Sequence, residues 1–488
     1  VAAWDLRPQR PGKRRCFAPA RTADAFPARG MDIGMKIVIV GDGKVGFALI
    51  KRLSQEGHDV VVIDSNRKIL QESQEALDVA VVDGNGASVE VQREAGVETA
   101  DLLIAATSGD ETNLLCCMVA RKLGCRHTIA RVRNPDYDQQ IRFLKEELGL
   151  SMVVNPEKAA ALEIFRLLQF PSFLKRDSFA KGMVELVEIK IKPGNELADK
   201  RLDQFRSVAN VNALVCAVER EGNITIPKGD FTLRLGDKIN IAVETADLVR
   251  LIKNLGIYTP KAGHVMIVGG SRTAKYLAQR LMKSKVRLTI IERDMERCMQ
   301  LSESLPGASI IHGNGTVQEL LLSEGIETTD AVVTLTGIDE ENLIISMFAN
   351  FIGVPKSITK INRTEYLSVY ENTGIDSIVS PKLLTANEIV RYVRAMEDTT
   401  GGSVVTLYRI VDGKAEALEF SVKGEGGFAG VPLSRLTLRK DVLVAAIIRA
   451  RRVIIPTGAD VMLKGDTVIV VTTADHSIGD LKDIFKEA

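Results

Sequence analysis

The chain is poor in several things that would direct its interpretation. Aromatic residues make up 5% of it, with a single Trp, and there are only five histidines. Its six cysteines, Cys16, Cys116, Cys117, Cys125, Cys216 and Cys298, form no C-x-x-C pair. That spacing argues against a zinc site or a disulfide framework, and it reads as small apolar residues in a reducing compartment. No apolar run approaches the ~18 residues of a membrane span. Net charge is +1, so no overall field favours nucleic acid or an anionic membrane. The nucleophile elbow G-x-S-x-G, the P-loop and H-E-x-x-H are all missing.

What is present is a globular composition, 45% apolar and 26% charged, spread over 488 residues. That length suggests about 3–4 domains. Residues 1–34 stand apart, rich in Arg, Pro and Ala and without an apolar signal core. They read as a disordered extension, with Met31 or Met35 as the more natural start.

The remainder repeats itself, and a repeat of this size governs the architecture. KIVIVGDGKVGFALIKRLSQEGHDVVVID, residues 36–64, lies over HVMIVGGSRTAKYLAQRLMKSKVRLTIIE, residues 264–292, without a gap. Val82-Asp-Gly-Asn-Gly-Ala87 then matches Ile311-His-Gly-Asn-Gly-Thr316. Thr107-Ser-Gly-Asp-Glu-Thr-Asn113 matches Thr336-Gly-Ile-Asp-Glu-Glu-Asn342. The tails also correspond, with Pro-x-Gly turns followed by Gly-Asp at 236–237 and 465–466. In the first part of each unit, short apolar strands alternate with helical patterns, which predicts a parallel sheet covered on both faces. The second part alternates apolar and polar residues between Gly-Asp turns and reads as a small α+β domain. The expected fold is α/β: Rossmann-like lobes at 35–170 and 263–398, each followed by a small lobe, at 182–260 and 403–487.

Gly41-x-Gly43-x-x-Gly46 follows a strand and opens a helix. In such a loop the first glycine makes the tight turn and the second lets a pyrophosphate approach the backbone. The third lets the helix pack on the sheet. Free amides and the helix dipole would hold the phosphates. Asp64 closes the second strand, where a carboxylate accepts from ribose hydroxyls and repels a 2′-phosphate. Arg67, nearby, weakens that exclusion. At further strand ends lie Asp83 and Asn85, Thr107 with Glu111, and Arg131, where ligands of open α/β sheets sit. Asp83 and Asn85 also fit a plain turn, and Arg131 also fits a surface role. The second copy keeps Gly269 and the acid Glu292 but has Ser271 and Ala274 for two glycines, so its site is in doubt. Arg272 there would partly compensate.

A dehydrogenase needs a group that moves a proton beside the hydride. None of the histidines has a recognisable partner pattern, and His312 stands where the other copy has Asp83. The lobe after each Rossmann unit is small and present twice, which suits symmetric assembly better than catalysis.

ATSGDETN followed by ARVRNPDY, with KIVIVGDGKVG, VVID and VVDGNG, resembles the RCK family, the regulators of potassium conductance. Its units join a TrkA-N lobe to a TrkA-C lobe. Two units in one chain resemble the peripheral regulatory subunits of Trk potassium uptake systems, across residues 36 to about 487. The resemblance implies a cytoplasmic, non-enzymatic homotetramer on the inner face of the cell membrane, bound to an integral membrane potassium channel subunit of the TrkH type. It implies that NAD(H), with ATP or ADP, binds in the Rossmann lobes and gates the channel. Gly41, Asp42, Gly43, Lys44, Val45 and Gly46 would take the phosphates and Asp64 the ribose. Asp83 and Asn85 would lie near the adenosine, Thr107 and Glu111 near the far ribose, and Arg131 near the phosphates. The helix after Pro156 would cross to a neighbouring lobe. The alternatives are an NAD-dependent oxidoreductase and a regulator of a different cation transporter.

Overall fold

A computed structural model describes residues 34–138, 140–258, 260–364, 369–370, 375, 377–398, 404–410, 415–423, 427–473, 478 and 480–486. Residues 1–33 of the N-terminal extension, Cys16 among them, lie outside these residues. In the first lobe β1 (Lys36–Val40), α1 (Lys44–Gln55), β2 (Asp59–Asp64), α2 (Arg67–Ala76) and β3 (Ala80–Asp83) run in order. They are followed by β4 (Leu102–Ala105), α3 (Asp110–Leu123), β5 (His127–Arg131), β6 (Met152–Val154) and α4 (Pro156–Gln169). The six strands form a sheet in the order β3-β2-β1-β4-β5-β6, with parallel pairing throughout. The order reverses between β1 and β4, and the glycine loop opens there. Strands such as Ile37–Val40 are buried on both faces because helices cover both sides, so they are continuously β-branched and do not alternate. On α1 the buried Val45, Leu49, Ile50 and Leu53 share one stripe. Asn155 caps α4 with its side chain, and Pro156 occupies the first turn, where a missing N–H costs nothing.

The second lobe repeats this with β12 (His264–Val268), α6 (Arg272–Lys283), β13 (Arg287–Glu292) and α7 (Met295–Ser304). It continues through β14 (Ser309–His312), β15 (Ala331–Thr334), α8 (Asp339–Phe351), β16 (Ser357–Lys360), β17 (Ser377–Val379) and α9 (Pro381–Asp398). Between the lobes lies an antiparallel sheet of β7 (Lys175–Phe179), β8 (Val184–Lys190), β9 (Ala213–Arg220), β10 (Asn223–Thr225) and β11 (Lys238–Glu244), with α5 (Leu248–Asn254). Its counterpart contains β18 (Val404–Ile410), β19 (Ala415–Ser421), β20 (Val442–Arg449), β21 (Arg452–Ile454) and β22 (Thr467–Thr473). The repeated Gly-Asp turns have a structural task. Asp237 and Asp466, both buried, each take a forked pair of bonds from Arg220 and Arg449, with the closest contact at 2.7 Å in both. The two sheets meet through small residues, Cys216 and Ala217 against Ala417 and Ala446, in one shared core.

The connection between the lobes is reciprocal. Helix α4 buries Ala160, Ala161, Ile164, Leu167 and Leu168 in the core of the second Rossmann lobe. Helix α9 buries Ala386, Ile389, Val390 and Val393 in the core of the first. Each repeat thus lends its last helix to the other. Phe165 packs at the edge of the second core, while Leu162 lines a cavity instead. Arg394 of α9 binds both carboxylate oxygens of Glu56 after α1, at 2.8 and 3.0 Å. Among the described residues no helix is long and apolar enough to cross a membrane.

Candidate functional site

Gly41 has a left-handed φ of 98°, and a Cβ there would strike the backbone of Ala106 and Thr107 at under 3 Å. Gly269 repeats this with φ 100° against Leu335 and Thr336. Gly46 is pinned differently: a Cβ would come within 1.9 Å of the Gly41 carbonyl, whereas the second copy accommodates Ala274. Gly43 differs from both. It has an ordinary φ of −78°, and a Cβ would meet nothing within 4 Å. The fold therefore does not require glycine at 43, and the space in front of it suits a ligand. In the second copy Ser271 fills the same position and caps α6, accepting from the Ala274 amide at 3.4 Å.

Asp64 faces the loop as anticipated, but it is already engaged. Its Oδ2 accepts from the Asp42 amide at 2.7 Å and its Oδ1 from the Asn66 amide at 2.8 Å. Glu292 does the same with Gly270 at 2.6 Å and Asp294 at 2.9 Å. A carboxylate has about four acceptor sites, so ribose hydroxyls can still be received. The acid thus sets the loop in both copies. Asp83 is exposed with Arg67 at 3.8 Å. Asn85 accepts from the Ala87 amide at 3.0 Å, an Asx turn repeated by Asn314 and Thr316. Glu111 is exposed and accepts from the Tyr137 hydroxyl at 2.5 Å, which holds its carboxyl below the usual range.

Thr107 leads to a residue missing from the set of sequence candidates. Its hydroxyl and its amide both donate to Asn113 Oδ1, at 2.7 and 2.8 Å. The fully buried Asn113 then donates from Nδ2 to the Arg131 carbonyl at 2.8 Å, clamping the ends of β4 and β5 together. Asn342 makes the same clamp between Thr336 and Lys360. The recurrence of Asn in both copies of the T-x-x-D-E-x-N stretch was the available signal. Asn113→Ala is expected to destabilise the first lobe by about 1–3 kcal/mol, because buried groups lose their partner. Thermal denaturation would check it.

The glycine loops of both lobes converge on a shared cavity of about 380 Å³. Lys44, Arg131, Arg133, Arg272, Lys360 and Lys382 line it together with Glu157. Arg131 is anchored by its guanidinium to the Thr107 carbonyl, and its Nε meets no acceptor among the described residues. Burial above all, then the charge of Arg133, moves its pKa below the ordinary value. Lys360 is the repeat mate of Arg131 and shares the same wall, a pairing visible once the alignment is carried through the fifth strand. A second cavity of about 370 Å³ fills the second lobe's own site, reaching from Gly269 and Ser271 to Glu292, Arg297 and Asn314.

The TrkA-N domain model matches residues 37–156 and 265–381, and the TrkA-C domain model matches 186–256 and 417–486. The chain belongs to the TrkA family. It is 34% identical over 453 residues to a Trk system potassium uptake protein TrkA homolog of Archaeoglobus fulgidus, covering 93% of this chain and all of that one. It is 33% identical over 460 residues to TrkA homolog 1 of Methanosarcina mazei, again over 93% of this chain and all of the relative. Among solved structures, the GsuK RCK domain superimposes with a TM-score of 0.61 at 19% identity, over 95% of this chain and 96% of that one. A GsuK channel bound to NAD gives 0.59 at 20% identity, over 92% and 78%. These two establish the RCK fold for the TrkA-type arrangement seen here.

Proposed function

We propose that the chain is a regulatory subunit that turns nucleotide occupancy of its Rossmann-like lobes into motion of a gate. The gate would belong to an integral membrane potassium uptake channel of the TrkH type, with the subunit seated on its inner face as a homotetramer. The observation that carries this reading is the cationic cavity between the lobes. Its walls come from both repeats, so a phosphate lying there senses how the lobes are apposed. A ligand moves such an equilibrium only through its different affinity for the two arrangements, and a tenfold bias takes about 1.4 kcal/mol. The relatives' names supply the potassium transport, and a neighbour of the same fold carries NAD.

NAD(H) is the proposed ligand of the first lobe. Gly41, Gly43, Lys44, Val45 and Gly46 would cradle its phosphates, Asp64 its ribose, Asp83 and Asn85 its adenosine side, and Thr107 with Glu111 the far ribose. ATP or ADP would compete there, and the γ-phosphate of ATP would reach towards Arg131 and Arg272. In the second lobe Gly269 and Glu292 remain in place, but Ser271 and the Ala274 amide satisfy each other, so weaker binding is expected.

No bond in the nucleotide needs to break. The described histidines make structural contacts: His58 with the Met35 amide, His127 with Ser151, His264 with Thr289 and His312 with the Arg293 carbonyl. Calorimetry with NAD+, NADH, ATP and ADP tests the reading, paired with potassium flux through a reconstituted TrkH-type partner. Asp64→Ala should weaken NAD binding at least tenfold and shift the flux response in parallel. Nucleotide-independent flux, or stoichiometric oxidation of NADH by the protein, would defeat it.

A further inference from the structure

The two glycine loops differ at their second position in a way that glycine counting conceals. Asp42 stands in the first, Gly270 in the second. The Asp42 side chain is turned inward and only 3% exposed. Among the described residues its carboxylate oxygens find no close hydrogen bond, and the one hydroxyl that faces them is that of Ser73. In the second loop the corresponding space is closed by an apolar group, since a Cβ on Gly270 would lie 2.5 Å from Leu301. The repeat mate of Leu301 is Ser73, which faces Asp42 from α2. Where the second loop pairs Gly270 with Leu301, the first pairs Asp42 with Ser73, so of the two loops only the first carries a buried carboxyl at this position.

We propose that Asp42 is a proton-coupled determinant of nucleotide affinity: the first lobe takes up a proton there when a dinucleotide's phosphates seat on the loop. This rests on reading the loop as a nucleotide site. The groups facing Asp42 are the carboxylates of Asp64 at the end of β2 and Glu72 on α2, with the Ser73 hydroxyl. Burial, the largest influence, pushes the carboxyl up to about 6; the Ser73 hydroxyl opposes this, and the charges of Asp64 and Glu72 add to it. A pyrophosphate on the loop adds further negative charge and raises the carboxyl again. Below about 6 the free protein already carries the proton, and affinity is at its upper plateau. As pH rises from there the free carboxyl ionises first, and affinity falls until the bound form ionises too. The fall is about tenfold for each unit by which binding raises the carboxyl. The second loop has Gly270 and lacks this dependence.

NAD+ is the suitable probe, because its phosphodiesters stay ionised across the whole window. Calorimetry on the full chain at pH 6, 7 and 8, in two buffers of different protonation enthalpy, reads affinity and proton uptake together. Wild type is expected to lose affinity across this range and to take up a fraction of a proton near pH 7. Asp42→Asn should hold the wild-type low-pH affinity at every pH, with no uptake. The double variant Asp42→Gly with Ser73→Leu, which copies the second loop, should also be flat and guards against a misfolded single variant. Binding of NAD+ with the same pH slope in wild type and both variants would overturn the proton coupling while leaving the nucleotide site intact. An absence of NAD+ binding at every pH in every variant would instead overturn the site itself.

Discussion

Gly43→Asp is expected to weaken nucleotide binding more than 100-fold while leaving the protein at least as thermostable as wild type. The two halves of this expectation have separate causes. For stability, residue 43 is the N-cap of α1, at φ −78° and ψ −171°, in the extended region where N-caps sit. No protein atom lies within 4 Å of the new Cβ. Gly43 offers no side chain to the free amides of the first turn, and aspartate is among the best residues for that task, worth a few tenths of a kcal/mol over glycine. Ser271 already plays this part in the second copy. For binding, the carboxylate would stand where a phosphate must approach and would occupy the amide that should hold it. Two like charges about 4 Å apart near a protein surface repel by roughly 4 kcal/mol, well beyond the ~2.7 kcal/mol of a hundredfold loss. Gly43→Ser should weaken binding less, since it blocks without charge. Calorimetry with NAD+ and a thermal melt on the same samples give both readings. A melt that rises with binding intact would mean the loop is only a turn.

The sequence made the repeat, the sheet and the glycine loop legible because each depends on local chemistry. Continuous β-branched runs, a glycine forced to positive φ at 41 and an acid at the end of β2 are read position by position. What lay hidden depends on which distant surface a residue meets. The apolar stripe of α4 announces that Ile164 and Leu168 are buried, whereas their crossing into another lobe was expected from the family resemblance and not from the stripe itself. Asp64 was legible as an acid closing β2, but its two bonds to loop amides appear only once the loop has folded around it. Asn113 shows in the sequence only as a member of the repeated stretch, whereas its partners sit at the ends of two different strands. The cationic cavity needs six residues from both repeats and could be anticipated only in part, from Lys44, Arg131 and Arg272. In the tails the Gly-Asp turns were plain, although their partners Arg220 and Arg449 come from another strand.

Ile389→Ala is expected to destabilise the first Rossmann lobe by about 2–5 kcal/mol, although Ile389 lies in the last helix of the second repeat. The residue is fully buried against the core formed by Ile39, Leu49, Leu53 and Ile129. Removing it deletes apolar contact and leaves a cavity that a rigid parallel sheet cannot collapse to fill. Its neighbours Val390 and Val393 bury comparable surface, each worth about 1.5–3 kcal/mol, so the docking of α9 weakens without being abolished. The Arg394–Glu56 pair, mostly shielded from solvent, keeps the helix in register. Hydrogen exchange provides the decisive reading. Amides of β1 and β2 should lose protection more than those of β12 and β13, even though Ile389 is closer in sequence to the latter. Leu168→Ala on α4 should do the reverse, loosening β12 and β13 while sparing β1 and β2. Should each substitution loosen the lobe of its own repeat instead, the exchange of helices would not persist in solution. The cavity shared by the glycine loops would then lose its structural basis, because α4 and α9 are what bring the two loops face to face.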